Sequence, residues 1–259
     1  VKDKLVRALS KAERVTGKNV TLPILSCILL SVTDSILTIK STNLDLGLEI
    51  KIPVKMTESG SVAVSGTVLN TFISNLTHDK NVTLETIEGN LKVSTKHSYA
   101  LIKAFPVDDF PTIPKITDQK PFTFNSQDLI KGLKSVMYSA SPSTIRPVLS
   151  SVLMYPENDS VVFVATDSFR LGERKVNVKK HKELNQILIP FKNVPEIIRI
   201  LGDVKDDIDV YLNENQIAFF HQDMYITSRV IDGVFPDYKQ IIPKEAKTEV
   251  VVLKQDLVN

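Results

Sequence analysis

Apolar residues recur at spacings of three and four in Leu5, Ala8, Leu9, Ala12 and Val15, which predicts an amphipathic helix over Lys4–Thr16. A second helical period runs from Gln127 to Ala140, with Ser126 as its expected N-cap. Shorter helices are predicted over Val68–Leu76 and Val194–Leu201. Elsewhere the period drops to two. Leu48, Ile50, Ile52, Val54 and Met56 share one face of a strand, as do Val161, Phe163 and Ala165. The apolar runs Ile24–Val32 and Val148–Tyr155 read as buried strands, and Glu88-Gly89-Asn90 and Asn213-Glu214-Asn215 as hairpin turns. Proline-punctuated segments, Phe110–Pro114 and Phe235–Pro243, follow each series.

These elements occur twice in one order. Pro23-Ile24-Leu25-Ser26 reappears as Pro147-Val148-Leu149-Ser150, and Ser41-Thr42-Asn43 as Ala165-Thr166-Asp167, both 124 positions later. Leu5 and Leu9 fall on Leu129 and Leu133 at the same offset, and Phe110-Pro111 matches Phe235-Pro236 at 125. Each copy reads as two helices with about eight strands. The crossover helices of a parallel sheet are lacking, so the fold class is α+β with antiparallel sheets. The tripeptide Gln127-Asp128-Leu129, which opens the helix of the second copy, returns as Gln255-Asp256-Leu257 after alternating Val250 and Val252. The expected organisation is therefore a domain over 1–118, another over 119–246, and from 247 to 259 the start of a third copy, of which about 110 residues would lie beyond the chain. The chain opens on Val1 in place of Met, which suggests trimming at that end.

Composition narrows the picture modestly. A chain of 259 residues with 42% hydrophobic residues forms real cores, and a net charge of +2 neither demands nor forbids a polyanionic partner. The single cysteine, Cys27, sits in an apolar run and is expected to be a buried, inert thiol, in keeping with a reducing cytoplasm. No apolar stretch approaches the roughly 20 residues of a membrane span and no signal peptide opens the chain, so a soluble, cytoplasmic protein is expected.

Candidate chemistry is electrostatic, not catalytic. Lys4, Arg7, Lys11, Arg14 and Lys18 form one stripe on the first helix, the arrangement that sequence-independent attraction to phosphates requires, although any solvated helix face carries charge. The second copy dilutes it: Lys131 and Lys134 remain, Asp128 and Ser135 replace Lys4 and Lys11, and Lys192 and Arg199 add charge near the fourth helix. His78, His97, His181 and His221 are scattered without metal-ligand spacing and are expected at the surface. Thr166-Asp167-Ser168 has no accompanying general base, and Asp45 and Asp167 read as structural residues after a strand. No enzyme, cofactor or metal is expected.

Three runs carry a resemblance: Thr21-Leu22-Pro23-Ile24-Leu25, Ala165-Thr166-Asp167-Ser168-Phe169-Arg170-Leu171, and Ile231-Asp232-Gly233-Val234-Phe235-Pro236-Asp237-Tyr238. Together, at their spacings across the whole chain, they resemble the bacterial DNA sliding-clamp family, the beta subunits of DNA polymerase III. The resemblance implies a non-catalytic processivity factor of three similar domains. It implies that two subunits pair head to tail into a six-domain ring around duplex DNA, with helices lining the hole. It also implies DNA contact by the loop residues Lys18 and Asn19 and by Ser143, beside Thr144, although Asn19 and Ser143 are smaller than the side chains common there. A groove for short peptides of polymerases and the clamp loader would be built from Arg146, Leu149, Thr166, Ser168, Phe169, Arg170, Leu171, Pro236, Gln240 and Ile241. Leu149, Leu171, Pro236 and Ile241 would hold an apolar peptide end, and Thr166 and Arg170 would orient its backbone. Phe169 stands where His is common and Gln240 where Arg is common, which implies a more apolar, less acidic peptide. A two-domain clamp that closes as a trimer, like proliferating-cell nuclear antigen, is the nearest alternative, and the third copy opening at the tail argues against it.

Overall fold

The structure, a computed structural model, describes residues 2–17, 21–77, 79–116, 120–178, 185–243, 245 and 247–258. The first repeat comprises α1 (Lys2–Val15), β1 (Cys27–Thr33), β2 (Ile36–Thr42), β3 (Leu46–Pro53), β4 (Gly60–Ser65), α2 (Gly66–Ser74), β5 (Thr83–Ile87), β6 (Asn90–Ser94), β7 (Tyr99–Ile102) and β8 (Ala104–Phe105). The second comprises β9 (Phe122–Asn125), α3 (Ser126–Val136), β10 (Ser151–Glu157), β11 (Ser160–Thr166), β12 (Leu171–Asn177), β13 (Ile187–Pro190), α4 (Val194–Leu201), β14 (Asp207–Leu212), β15 (Gln216–His221) and β16 (Met224–Arg229); α5 (Lys254–Val258) follows. All strand pairings are antiparallel, in keeping with the expected α+β class.

The helix faces form as their periodicity dictates. Leu5, Ala8, Leu9, Ala12 and Val15 are all buried under α1. The N-cap of α3 is Asn125, not Ser126: the Asn125 side chain accepts from the backbone N–H of Gln127 and Asp128, while Ser126 is buried in the first turn. This helix ends at Val136 and tightens into a 3-10 turn over Met137–Ser139, short of the expected Ala140. The second helix of the first repeat starts at Gly66, two residues early. A Cβ at this position would lie 3.0 Å from the Ile28 side chain, which leaves little room for a larger residue.

Two strands start later than their apolar runs. Pro23–Ser26 is a 3-10 turn, so β1 opens at Cys27 instead of Ile24, and β10 opens at Ser151 instead of Val148. In both repeats the proline begins a turn, and a serine hydroxyl closes it, Ser26 onto Pro23 O and Ser151 onto Val148 O, both at 2.6 Å. Val54 and Met56 lie beyond the end of β3. The expected alternation around Val250 and Val252 forms no strand; Val250–Leu253 is exposed, and the helix opens at Lys254.

The strand order β8-β4-β1-β2-β3-β16-β15-β14-β9 runs through both repeats in one nine-stranded sheet. The seam is β3 against β16, from Met224 opposite Ile50 to Ser228 opposite Leu46. The connecting segment crosses this seam and fastens it. Ile113 packs against Gly47, the Lys115 ammonium reaches Glu49 Oε1 at 2.8 Å, and the Ile116 N–H donates to Tyr225 Oη at 3.0 Å. Glu49 is buried on β3 and also has Lys40 and, from its own strand, Lys51 within 4.0 Å, so its charge is neutralised several times over. Cys27 is fully buried, and desolvation pushes its thiol above the usual range, in keeping with an inert role.

Candidate nucleic-acid and peptide surfaces

Four helices pack in a row, α2 on α1, α1 on α4 and α4 on α3. Lys4, Arg7 and Arg14 are exposed on α1, and among the described residues none of the three has an acidic partner within 4 Å. Lys131 and Lys134 stand exposed on α3, beside Gln127 and Ser135. Arg199 is exposed on α4 but paired with Glu196 at 2.5 Å. Lys192 reaches across the seam to Asp45, also at 2.5 Å. Ser143 lies in the exposed loop before Arg146, where its hydroxyl accepts from the Ile145 N–H at 3.4 Å. Lys18 and Asn19 lie outside the described residues, as do His78 and His181. His97 is at the surface, 3.1 Å from Asp79. His221 departs from the surface position expected of it: its side chain is only 16% exposed, and its Nε2 lies 3.6 Å from Asp206.

Lys11 departs from the free stripe. Its ammonium donates to Ile200 O in the last turn of α4 at 2.9 Å and lies 3.6 Å from Asp203. A cation on the closing carbonyls of a helix meets the negative end of its dipole, so Lys11 ties the two repeats together on the helical side. Lys4, Arg7 and Lys11 line one cleft at this junction, and the facing wall brings Lys205, which the sequence reading missed, together with Asp203, Asp206 and Asp223. Lys11→Met should therefore lower stability by about 1 kcal/mol, a melting shift of about 3 °C, while leaving the salt dependence of DNA binding unchanged. Thermal melting and a salt titration of duplex binding check this; a shallower salt slope at unchanged stability would make Lys11 a phosphate contact.

The residues expected to form a peptide groove lie in or beside the four-stranded sheet β12-β11-β10-β13. Leu153, Val162, Val164, Leu188, Phe235 and Tyr238 form a small buried cluster there, with Val148, Tyr155, Leu171 and Ile231 packed on it. Leu149 is buried and Leu171 half-buried, whereas Pro236, Gln240 and Ile241 are exposed on the segment that crosses this face. Arg146 is exposed, and its carbonyl accepts from the Leu149 N–H at 3.0 Å. Phe169 is 97% exposed at the tip of its loop.

Thr166 and Arg170 are bonded within their own turn. The Thr166 hydroxyl donates to Arg170 O at 2.8 Å and accepts from the Ser168 N–H at 3.2 Å. Asp167 Oδ1 accepts from the N–H groups of Phe169 and Arg170, and its Oδ2 holds Arg170 Nε at 3.0 Å. These backbone N–H groups, with the Arg170 guanidinium, hold the Asp167 carboxyl below the usual carboxylate range. The first repeat contains the same turn: Thr42 donates to Leu46 O, Asn43 Oδ1 accepts from Asp45 and Leu46, and Leu44 and Ser168 take matching positive φ of 77° and 79°. The repeated Thr-Asn and Thr-Asp pairs are turn chemistry, as the reading of Asp167 as structural anticipated.

Sequence reasoning passed over the residues that anchor the segment carrying Pro236, Gln240 and Ile241. Tyr238 is buried, donates to Glu173 Oε2 at 2.6 Å and lies 2.8 Å from Tyr155 Oη. Burial, then the Glu173 carboxylate, raises its phenol far above the ordinary value, so it remains a donor. Aromatic residues at Phe235 and Tyr238, three apart and flanking exposed positions, were the available signal; their rings meet edge to face at 6.5 Å.

Comparison with known proteins accounts for both repeats. Residues 1–114 match the N-terminal domain of the DNA polymerase III beta subunit, and residues 123–237 match its central domain. The beta sliding clamp of Rickettsia felis is 30% identical over 253 residues, covering 96% of this chain and 66% of the relative. That of Bacillus subtilis is 27% identical, over 97% of this chain and 69% of the relative. The chain thus spans about two thirds of the length of these relatives. In structure it is similar to the DNA polymerase sliding clamp of Bacillus subtilis, with a TM-score of 0.92 at 23% identity over 99% of this chain and 70% of that one. The DNA polymerase III beta subunit of Thermotoga maritima gives 0.87 at 23% identity, over 94% and 66%. Two consecutive domain matches on a doubled α+β fold carry one conclusion: the chain belongs to the bacterial beta sliding clamp family, the non-catalytic processivity subunits of DNA polymerase III.

Proposed function

We propose that this chain forms the first two domains, residues 1–118 and 119–246, of a sliding clamp that encircles duplex DNA without reading its sequence. A third repeat beginning near residue 247 completes the subunit, and two subunits close the ring as a homodimer in the cytoplasm. The ring tethers polymerase subunits and the clamp loader through short peptides held on the outer face near Leu149, Leu171, Pro236 and Ile241. No helix among the described residues is long and apolar enough to cross a membrane.

The observation that carries this reading is the seam. By the internal offset, β12 of the second repeat corresponds to β3 of the first, and β7 of the first to β16 of the second. β3 pairs with β16, whereas β12 and β7 each have one neighbour among the described residues, β11 and β6. Each repeat therefore carries a donor and an acceptor edge, and open edges of this kind call for a further strand. Repeating a head-to-tail junction closes a ring when its rotation divides a full turn and leaves no rise along the axis. On β7 the open edge also bears exposed Tyr99 and Leu101.

Replacing Tyr99 and Leu101 together by Lys should convert the dimer formed by the complete reading frame into monomers without lowering its melting temperature appreciably. Sedimentation decides it. A dimer that survives the substitutions would exclude β7 as the closing edge, and a stable trimer of the 259-residue chain would favour the two-domain clamp.

A further inference from the structure

The segment after β16 is anchored on the second repeat by two buried rings, Phe235 and Tyr238. Tyr238 inserts between Leu153, Val162, Val164 and Phe235, and it is 5% exposed. Its hydroxyl proton goes to Glu173 Oε2 on β12, so the Tyr155 hydroxyl on β10 donates to Tyr238 Oη from the other side. The next residue repeats the fastening in the open: Lys239 reaches Glu157 Oε1 at 2.5 Å and lies 5.6 Å from the centre of the Tyr155 ring. The two residues after that, Gln240 and Ile241, are exposed, and Pro236 is exposed two residues before Tyr238. Leu171 packs on the same apolar cluster as Tyr238. Of these two anchors Tyr238 alone lies between Pro236 and the Gln240-Ile241 pair, and it touches the cluster that supports Leu171.

We propose that Tyr238 is the positioning residue of the peptide groove: its hydroxyl, latched on Glu173 and Tyr155, fixes the segment carrying Pro236, Gln240 and Ile241 against Leu171. The assignment rests on the peptide-binding reading above. Without the latch the segment retains its apolar contacts but loses the two hydroxyl bonds that select one register on the sheet. Glu173 lies on β12, one of the open edges, so the latch also joins the groove to the strand on which a third repeat would pair.

The test uses the 259-residue chain and a synthetic peptide ending in a Gln-leucine-phenylalanine motif. Tyr238→Phe keeps the ring and removes the latch. Amide exchange across residues 237–242 should accelerate at least tenfold without peptide, with the rest of the chain unchanged, and peptide affinity should fall five- to tenfold. Glu173→Gln, which still offers an acceptor oxygen, should retain most of the affinity, whereas Glu173→Ala should match Tyr238→Phe, and the two losses should not add. Unchanged exchange in Tyr238→Phe overturns the latch, and faster exchange with unchanged affinity overturns its role in the groove. Failure of the wild-type chain to bind peptide would remove the peptide reading and with it the groove role, while the exchange rates would still decide whether the latch exists.

Discussion

Charge reversal at Lys4, Arg7 and Arg14 together is expected to abolish measurable binding of duplex DNA at moderate salt. The three side chains are exposed on one helix, and none is held by a carboxylate within 4 Å among the described residues. Each phosphate neutralised releases condensed counterions, which contributes a slope of about −0.9 to log K against log salt. Loss of three such contacts should make the slope shallower by about 2.7, and three carboxylates in their place add repulsion. Affinity at low salt should fall at least a hundredfold, equally for duplexes of any sequence. Lys131 and Lys134 on α3 remain, so reversing them as well should remove the residual slope. Anisotropy titrations of one labelled duplex over a salt series give both numbers. An unchanged slope in the triple variant would move the DNA surface off α1.

The doubled architecture was readable because helix and strand periods repeat at a fixed offset, and repetition needs no knowledge of tertiary contacts. Helix α1 illustrates the local part: its five predicted apolar positions are all buried. What alternation gives is a face, never a neighbour. Nothing local in Leu46–Pro53 announces that its partner is Met224–Arg229, more than 170 residues later, so the sheet that crosses both repeats was not foreseen. The same gap explains Lys11. On the helical wheel it belongs with Lys4, Arg7 and Arg14, and only the arrival of the α4 carboxyl end from the other repeat takes it out of the stripe.

Motifs were informative about location and less so about role. The resemblance places Thr166, Ser168, Phe169, Arg170 and Leu171 at a peptide groove and the sequence reads Asp167 as structural; Thr166 and Asp167 both make hydrogen bonds inside their own turn, as Thr42 and Asn43 do where no groove is expected. The internal repeat could have separated the two roles. What recurs in both copies, the Thr and its Asn or Asp, builds the turn. What differs, Asp45 against Phe169, marks where the copies serve different neighbours: Asp45 meets Lys192 across the seam, and Phe169 stands in solvent. Glu49 lay partly within the signal, since Lys51 follows it on the same face of β3, but its third lysine, Lys115, comes from the connecting segment.

Gly132→Ala should destabilise the protein by about 3 kcal/mol, against the sign that helix propensity gives. In an exposed helix interior the change would gain about 1 kcal/mol, because Ala is the better helix former. Gly132, however, is buried in the middle of α3, and a Cβ there would lie 2.4 Å from Cε2 of Phe163 and 2.5 Å from Cδ2. Phe163 is fully buried and meets Phe124 edge to face at 6.3 Å, so the ring has no open side to move towards. Either α3 lifts from β11 or the ring leaves its rotamer; overpacking of this kind costs about 1–3 kcal/mol, and a rigid aromatic neighbour sets the upper end. For a chain of this length that lowers the melting temperature by roughly 6–12 °C. Because α3 carries Lys131 and Lys134, lifting it should also weaken duplex binding, although neither lysine is altered. Gly60→Ala is the matched control, since a Cβ at Gly60 meets nothing within 4 Å, and its effect should stay within about 0.5 kcal/mol. Melting curves of the two variants beside the parent decide the matter: a Gly132→Ala protein that melts at or above the parent temperature would mean that α3 does not sit on Phe163 as closely as described.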